Sequence, residues 1–222
     1  MSARLIVFDV DGTLVDSQAQ IVAAMTHAFD AHGLPVLPRE AVLSIVGLSL
    51  PQAIAQLVPA PDVALHAALA QSYRDSFFAQ RAKEVSPLYP GARAALDALA
   101  GRDDVILGVA TGKARRGLDY ILAAHGLAGL FRTTQVADNH PSKPHPSMLR
   151  AALAEAGVAP GQAVMIGDTT YDMEMARAAG TRRLGVAWGY HAPAALAETG
   201  ADCVLDSFDA LLPALERLWD RA

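Results

Sequence analysis

Cysteine, lysine and long apolar runs are what this chain has least of. Cys203 is the single cysteine in 222 residues, so neither an internal disulfide nor a multi-cysteine metal site is available. A small buried residue is its expected role. A chain of this size buries about 70% of the surface it exposes when unfolded, so its fold needs no disulfide. The hydrophobic share is 52%, yet no uninterrupted apolar run approaches the ~18 residues of a membrane-spanning helix. The start, Met1-Ser2-Ala3-Arg4, passes straight into Leu5-Ile6-Val7-Phe8, a run too short for a secretory signal. A cytoplasmic protein with no membrane partner is expected. The formal net charge is −5, which argues against a nucleic-acid partner, because binding a phosphate backbone takes a basic face. Small-molecule partners are expected instead. Repeats and low-complexity tracts are absent, and nothing in the sequence indicates an oligomeric state.

What is present is an alternation. Residues 5–8, 105–110 and 163–166 are short, rich in Val and Ile, and followed by Gly or polar residues, as buried parallel strands are. Residues 183–187 and 203–205 look like two more. Between them, 91–100, 114–124, 147–156, 172–179 and 208–219 carry good helix formers, with Gly126, Gly157 and Gly180 where stop signals belong. Strand and helix in turn predict an α/β fold with a doubly wound parallel sheet. From 17 to 84 the rhythm breaks. Helical patterns such as 18–31 and 64–81 are separated there by Gly33, Pro35, Pro38, Pro51, Pro59 and Pro61. This predicts a helical insert, 17–86, within a core of 1–16 and 87–222. Its exit, Ser86-Pro87-Leu88-Tyr89-Pro90-Gly91, suits a stiff connection between two bodies.

In an open parallel sheet, ligands sit at the carboxyl ends of the strands, near the point where strand order reverses. The first run ends in Asp9-Val10-Asp11-Gly12-Thr13, the second in Thr111-Gly112-Lys113, and the third in Gly167-Asp168-Thr169-Thr170-Tyr171-Asp172. Three strands thus deliver carboxylates and a hydroxyl to one edge. Aspartates gathered this way repel one another unless a cation sits among them. Oxygen-only ligands with room for water and phosphate are what Mg²⁺ prefers. Asp9 and Asp11, two apart, would face opposite ways on an extended strand, so the chain must turn at Val10, and Gly12 permits that turn.

Four elements, in order, resemble the haloacid dehalogenase-like superfamily of hydrolases, and within it the phosphoglycolate-phosphatase-like branch with a helical cap. They are Asp9-Val10-Asp11-Gly12-Thr13-Leu14-Val15-Asp16-Ser17, Val109-Ala110-Thr111-Gly112, Ser142-Lys143-Pro144-His145-Pro146 and Gly167-Asp168-Thr169-Thr170-Tyr171-Asp172-Met173. The likeness covers essentially the whole chain, insert included. It implies a Rossmann-like core with an inserted α-helical cap. It also implies Mg²⁺-dependent hydrolysis of a small, phosphoglycolate-like phosphomonoester through an aspartyl phosphate.

The resemblance makes Asp9 the nucleophile. Asp11 would protonate the leaving alcohol and then activate water. Thr111 would hydrogen-bond a phosphoryl oxygen, helped by backbone N–H groups at Gly112 and beyond. Asp168 would bind Mg²⁺ with the Asp9 carboxylate and the backbone carbonyl of Asp11. Asp172 has two readings, a member of the metal site or an acid capping the next helix. Arginine is the default cation here, 15 against three lysines. A lysine nonetheless stands in the third element, where the compact ammonium of Lys143 reaches both Asp9 and phosphate. Pro144 confines Lys143 to extended backbone. Lys113 stays open between function and surface.

The remaining candidates have plainer readings. Asp16-Ser17 looks like a capped helix start. The seven histidines show no paired ligand spacing and are expected at the surface or in packing. Trp188-Gly189-Tyr190 follows a strand and could pack near the site, although loop packing is the plainer expectation. Val46-Gly47-Leu48-Ser49 and the cations Arg39, Arg74 and Arg81 are candidates for reading the leaving group. Within the family, an acid at Asp11 argues against dehalogenation, since a halide needs no proton. A phosphonatase would need a cap lysine, for which Lys83 is the only candidate. A sugar-phosphate mutase of the β-phosphoglucomutase type and a non-catalytic binding module are the alternatives. The latter would be signalled by loss of Asp9, Asp11 or Asp168, and none is lost.

Overall fold

Five apolar runs, joined by a sixth strand that apolar patterning does not disclose, pair into one parallel sheet in this computed structural model, which describes residues 3–60, 62–81 and 84–220. The strands are β1 (Arg4–Phe8), β2 (Val105–Thr111), β3 (Thr133–Val136), β4 (Ala163–Gly167), β5 (Arg182–Val186) and β6 (Cys203–Leu205). Between β1 and β2 lie α1 (Gln18–Ala31), α2 (Arg39–Leu43), α3 (Leu50–Leu57), α4 (Val63–Arg81) and α5 (Ala92–Ala100). The later helices are α6 (Arg115–Ala124), α7 (Ser147–Ala156), α8 (Thr170–Ala179), α9 (Pro193–Glu198) and α10 (Leu211–Asp220).

Alternation along each central strand builds the layers. Ile6 and Phe8 of β1 join the core beneath α5, α6 and α10, whereas Leu5 and Val7 face the opposite core, made with α7 and α8. Each such fully buried aliphatic or aromatic side chain contributes roughly 1.5–3 kcal/mol. The strand order is β3-β2-β1-β4-β5-β6. The chain steps outward from β1 to β3, then returns to β4 on the other side of β1. The crevice beyond the carboxyl ends of β1, β2 and β4 is therefore the switch point where ligands bind in such sheets.

Several elements differ from the expectation. β3, Thr133-Thr134-Gln135-Val136, is half polar and pairs only with β2, so it lacks the apolar run that marks a central strand. Cys203 is exposed, not buried, because it opens the opposite edge strand, along which burial sets in only at Leu205. α8 starts at Thr170, ahead of Asp172, since Thr169 caps it. The expected helix over 208–219 is a 3₁₀ turn at Phe208–Ala210 followed by α10.

The insert is helical and has its own core, in which Met25, Phe29, Ile54 and Leu69 are buried. Its entry and exit run side by side, with the Asp16 N–H donating to the Pro87 carbonyl at 2.9 Å and Val15 bridging Leu88. On these contacts we propose 17–86 as the cap and 1–16 with 87–222 as the core. Lys83 and Pro61 lie outside the described residues. No helix among the described residues is long and apolar enough to cross a membrane.

Candidate active site

Asp9 follows β1 directly and is held in the sheet by its N–H, which donates to the Ile166 carbonyl at 2.9 Å. The chain then folds back, with the N–H groups of Leu14 and Val15 both donating to the Val10 carbonyl at 2.9 Å. Gly12 makes the turn possible twice over. Its φ is +85°, and a Cβ there would stand 2.2 Å from Asp168 Oδ2.

Behind this turn lies a buried charge cluster. Lys143 Nζ is 2.7 Å from Asp172 Oδ1 and 3.0 Å from Asp9 Oδ2, the latter without hydrogen-bond alignment. Asp172 Oδ2 accepts the Thr169 hydroxyl at 2.7 Å and the Thr169 N–H at 3.1 Å, closing a capping box at α8. Asp172 thus caps the helix and belongs to the cluster at once. Asp168 is gripped on both oxygens, by the Thr13 hydroxyl at 2.8 Å and the Tyr190 N–H at 2.9 Å.

Asp9, Asp168 and Asp172 each bring a carboxylate oxygen within 4.8 Å of the others. Three carboxylates facing one ammonium leave two negative charges uncompensated. Burial pushes Asp9 up to about 7; Lys143 pulls against this and Asp172 adds to it. Burial, then Asp9 and Asp172, hold Asp168 well above the carboxylate range. Burial lowers Lys143, but Asp172 and Asp9 outweigh it and keep the ammonium above its ordinary value. A hard divalent cation fits this all-oxygen set, and the partner-poor Asp9 Oδ2 in particular.

Asp11 faces elsewhere. Its Oδ1 accepts the Ser17 hydroxyl at 2.5 Å, and its Oδ2 lies 2.9 Å from Lys113 Nζ. Lys113 is therefore part of the site and not a surface cation. Ser17 makes no capping bond at α1; its hydroxyl joins Asp11 to the Tyr190 hydroxyl, 3.1 Å away. Thr111 Oγ1 accepts the Lys113 N–H at 3.2 Å and donates to none of the described residues.

The cap lies over these groups. A Cβ on Gly112 would come within 2.5 Å of the carbonyls of Gly47 and Leu48, so only glycine admits that loop so closely. The Ser49 N–H donates to Ser142 Oγ at 2.8 Å, and Tyr171 OH donates to the Ser44 carbonyl at 3.1 Å. His191 takes the Thr170 N–H on Nδ1 at 3.2 Å and reaches the same carbonyl through Nε2 at 3.2 Å. It packs, as expected of the histidines. Between cap and core remains a cavity of about 910 Å³. Asp9, Asp11, Thr111 and Lys113 line it on the core side, and Leu48, Tyr73, Phe77, Arg74 and Arg81 on the cap side. Arg39 is not among its lining residues; it is exposed and bonds Gln18.

Sequence reasoning did not settle the supports. Of the two readings of Trp188-Gly189-Tyr190, loop packing or a place near the site, the second fits: the Tyr190 N–H holds Asp168 and Trp188 Nε1 donates to the Thr13 carbonyl at 3.0 Å. The position of this segment directly after β5 was the one available signal.

The model of the haloacid dehalogenase-like hydrolases matches residues 6–186. The chain belongs to this family. A Dickeya dadantii protein named "Probable phosphatase IndB" is 35% identical over 96% of this chain and 94% of its own length. The phosphoglycolate phosphatase of Haemophilus influenzae is 30% identical over 96% of this chain and 98% of its own. Among solved structures, a predicted phosphatase from Clostridium acetobutylicum superposes with a TM-score of 0.87 at 26% identity, covering 98% of this chain and 100% of that one. Family, aspartate cluster and relatives together make this chain a haloacid dehalogenase-like phosphatase with a helical cap.

Proposed function

We propose that this enzyme hydrolyses a small phosphomonoester, of the phosphorylated-acid kind on which relatives named phosphoglycolate phosphatase act, with Mg²⁺ as its metal. The observation that carries the reading is the Asp9 carboxylate. It is buried at the switch point, with Oδ1 held by the Val10 N–H at 2.7 Å and Oδ2 beside Lys143 at 3.0 Å, and it opens on the cavity.

Asp9 attacks phosphorus and becomes an aspartyl phosphate while the bond to the leaving oxygen breaks. Asp11 gives that oxygen its proton, then takes one from the water that cleaves the acyl phosphate. The Ser17 hydroxyl and Lys113 aim Asp11. The Thr111 hydroxyl, with its free proton, and the Gly112 N–H receive phosphoryl oxygens. Lys143 balances charge on Asp9 and phosphate, and Asp172 holds Lys143 in place. Mg²⁺, when bound by Asp9, Asp168 and the Asp11 backbone carbonyl, with Asp172 adjoining, supplies charge neutralisation for phosphoryl transfer. The cap loop at 47–49 excludes water beyond the one that reacts.

A panel of phosphomonoesters assayed with and without Mg²⁺ tests this. Phosphate release that depends on Mg²⁺ and stops in EDTA is expected; full turnover in EDTA would overturn the metal assignment.

A further inference from the structure

Arg81 ends α4 at the cavity wall and is only 9% exposed. Among the described residues its buried Nε has no hydrogen-bond partner, and no carboxylate forms an ion pair with its guanidinium. An arginine in a last helical turn is ordinarily favoured by the helix dipole, but a solvated one serves that purpose. Burying this one without an ion pair is costly; burial lowers its proton affinity and Arg116 adds to this, while Tyr120 and Asp11 pull the other way. The position is nevertheless built. The guanidinium lies 3.7 Å over the Tyr120 ring, and Tyr120 OH donates to the Arg81 carbonyl at 2.7 Å. One core tyrosine thus fixes both ends of the residue.

Its surroundings are cationic and apolar. Arg74 and Arg116 also line the cavity without a carboxylate partner among the described residues, and Arg116 stacks 4.4 Å over Phe78. The acids on the same wall are engaged elsewhere. Asp11 pairs with Lys113, Asp9 sits beside Lys143, and Asp138 accepts the Arg115 N–H at 2.5 Å. Tyr73 and Phe77, stacked at 5.7 Å, line the same chamber as Arg81, and Lys113 Nζ lies 5.1 Å over the Phe77 ring. At about 910 Å³, the chamber is near the top of the about 300–1,000 Å³ range of small-molecule sites, far more than a two-carbon leaving group fills.

We propose that Arg81 is a specificity residue: it binds a second anionic group, a carboxylate or phosphate, on a leaving group whose ring-sized apolar body lies against Tyr73 and Phe77. This rests on the phosphatase reading and names its substrate class. The guanidinium fork matches either oxyanion, which supplies the ion-pair partner that the described residues do not.

The test compares 4-carboxyphenyl phosphate with its neutral isostere 4-carbamoylphenyl phosphate, and adds 1,4-phenylene bisphosphate to separate carboxylate from phosphate recognition. A charge-assisted contact predicts a kcat/KM about 10- to 100-fold higher for an anionic ester over the neutral one. Arg81→Gln should bring that ratio close to one, chiefly through KM, and Arg81→Lys should leave part of it. Both esters are read on the same preparation, so partial misfolding cancels in the ratio. A purely structural role would lower both esters together and leave the ratio intact, which sinks the proposal. Equal kcat/KM for neutral and anionic esters in the unmodified enzyme sinks it too, while leaving the phosphatase reading standing. Failure to hydrolyse any ester, p-nitrophenyl phosphate included, removes that reading and this proposal with it.

Discussion

The two ends of the cavity are built on opposite plans. At the core end, Asp9, Thr111, Lys143, Asp168 and Asp172 are almost wholly inaccessible, and nearly every polar atom has a partner supplied by a strand end or a helix start. At the cap end, aromatic walls carry cations without carboxylates. The first plan suits a reaction whose charge pattern is the same for every phosphomonoester, since preorganised groups act where charge develops. The second leaves its polar groups for the leaving group to satisfy. On the proposed mechanism, chemistry resides at the sheet end of the cavity and selectivity at the end that the insert covers.

Substitutions at the core end should act on all substrates alike, and the largest effect belongs to Asp9. Asp9→Asn should abolish turnover, because an amide does not displace the leaving group; residual turnover near the unmodified rate in a steady-state assay contradicts the assignment. Next in size, Asp11→Asn should lower hydrolysis of esters of basic alcohols by about 10²–10⁴-fold, the usual worth of a positioned proton donor and acceptor. Wild-type rates on such esters would take Asp11 out of that role.

The cap end should behave differently. Leu48 lines the cavity, and its carbonyl approaches Gly112. Leu48→Ala should shift relative kcat/KM among phosphomonoesters by about 10-fold, the scale for a changed apolar contact, while altering hydrolysis of p-nitrophenyl phosphate less. Uniform loss across all esters would show that the loop supports closure or folding, and would blur the division between the two ends.

The smallest effect concerns stability. Asp9 is raised from 3.8 to about 7, and Asp168 is raised as well. Between those values the folded metal-free protein holds protons that the unfolded chain releases, so its stability should fall as pH rises from about 4 to about 7. Lys143 acts in a different window. Its raised value adds stability that is lost only above the ordinary lysine range. A divalent cation replaces the protons on the carboxylates, so the rise in Tm on adding Mg²⁺ should be larger at pH 8 than at pH 5. Equal increments at both pH values would mean that the cluster does not bind the ion as its carboxylate form.

The core end was legible in the sequence because its residues follow apolar runs directly. Asp9, Thr111 and Asp168 stand at strand ends, and strand ends are readable from patterning. Lys143 was reached only through a family likeness, since a loop lysine has no periodicity of its own. The roles of Ser17, Lys113 and Tyr190 were not settled by the sequence, for a shared reason. Each acts through a contact between segments far apart in the chain, such as Ser17 to Tyr190 across 173 positions, and no local rule predicts which loop meets which. Strand β3 escaped because an edge strand half made of Thr and Gln lacks the apolar signature, and Cys203 was placed in the interior by residue type when its strand is an edge. The helical nature of the insert was legible. Which of its arginines faces the cavity was not, since Arg39 and Arg81 differ only in how the cap folds.

The central claim is that phosphate passes through Asp9. With Asp11→Asn and labelled p-nitrophenyl phosphate, the first step needs little proton donation while the second loses its base, so label should accumulate on the protein. Quenching in acid and mapping the modified peptide measures this directly. The account predicts a hydroxylamine-labile acyl phosphate on Asp9; label on any other residue, or none during turnover, contradicts it.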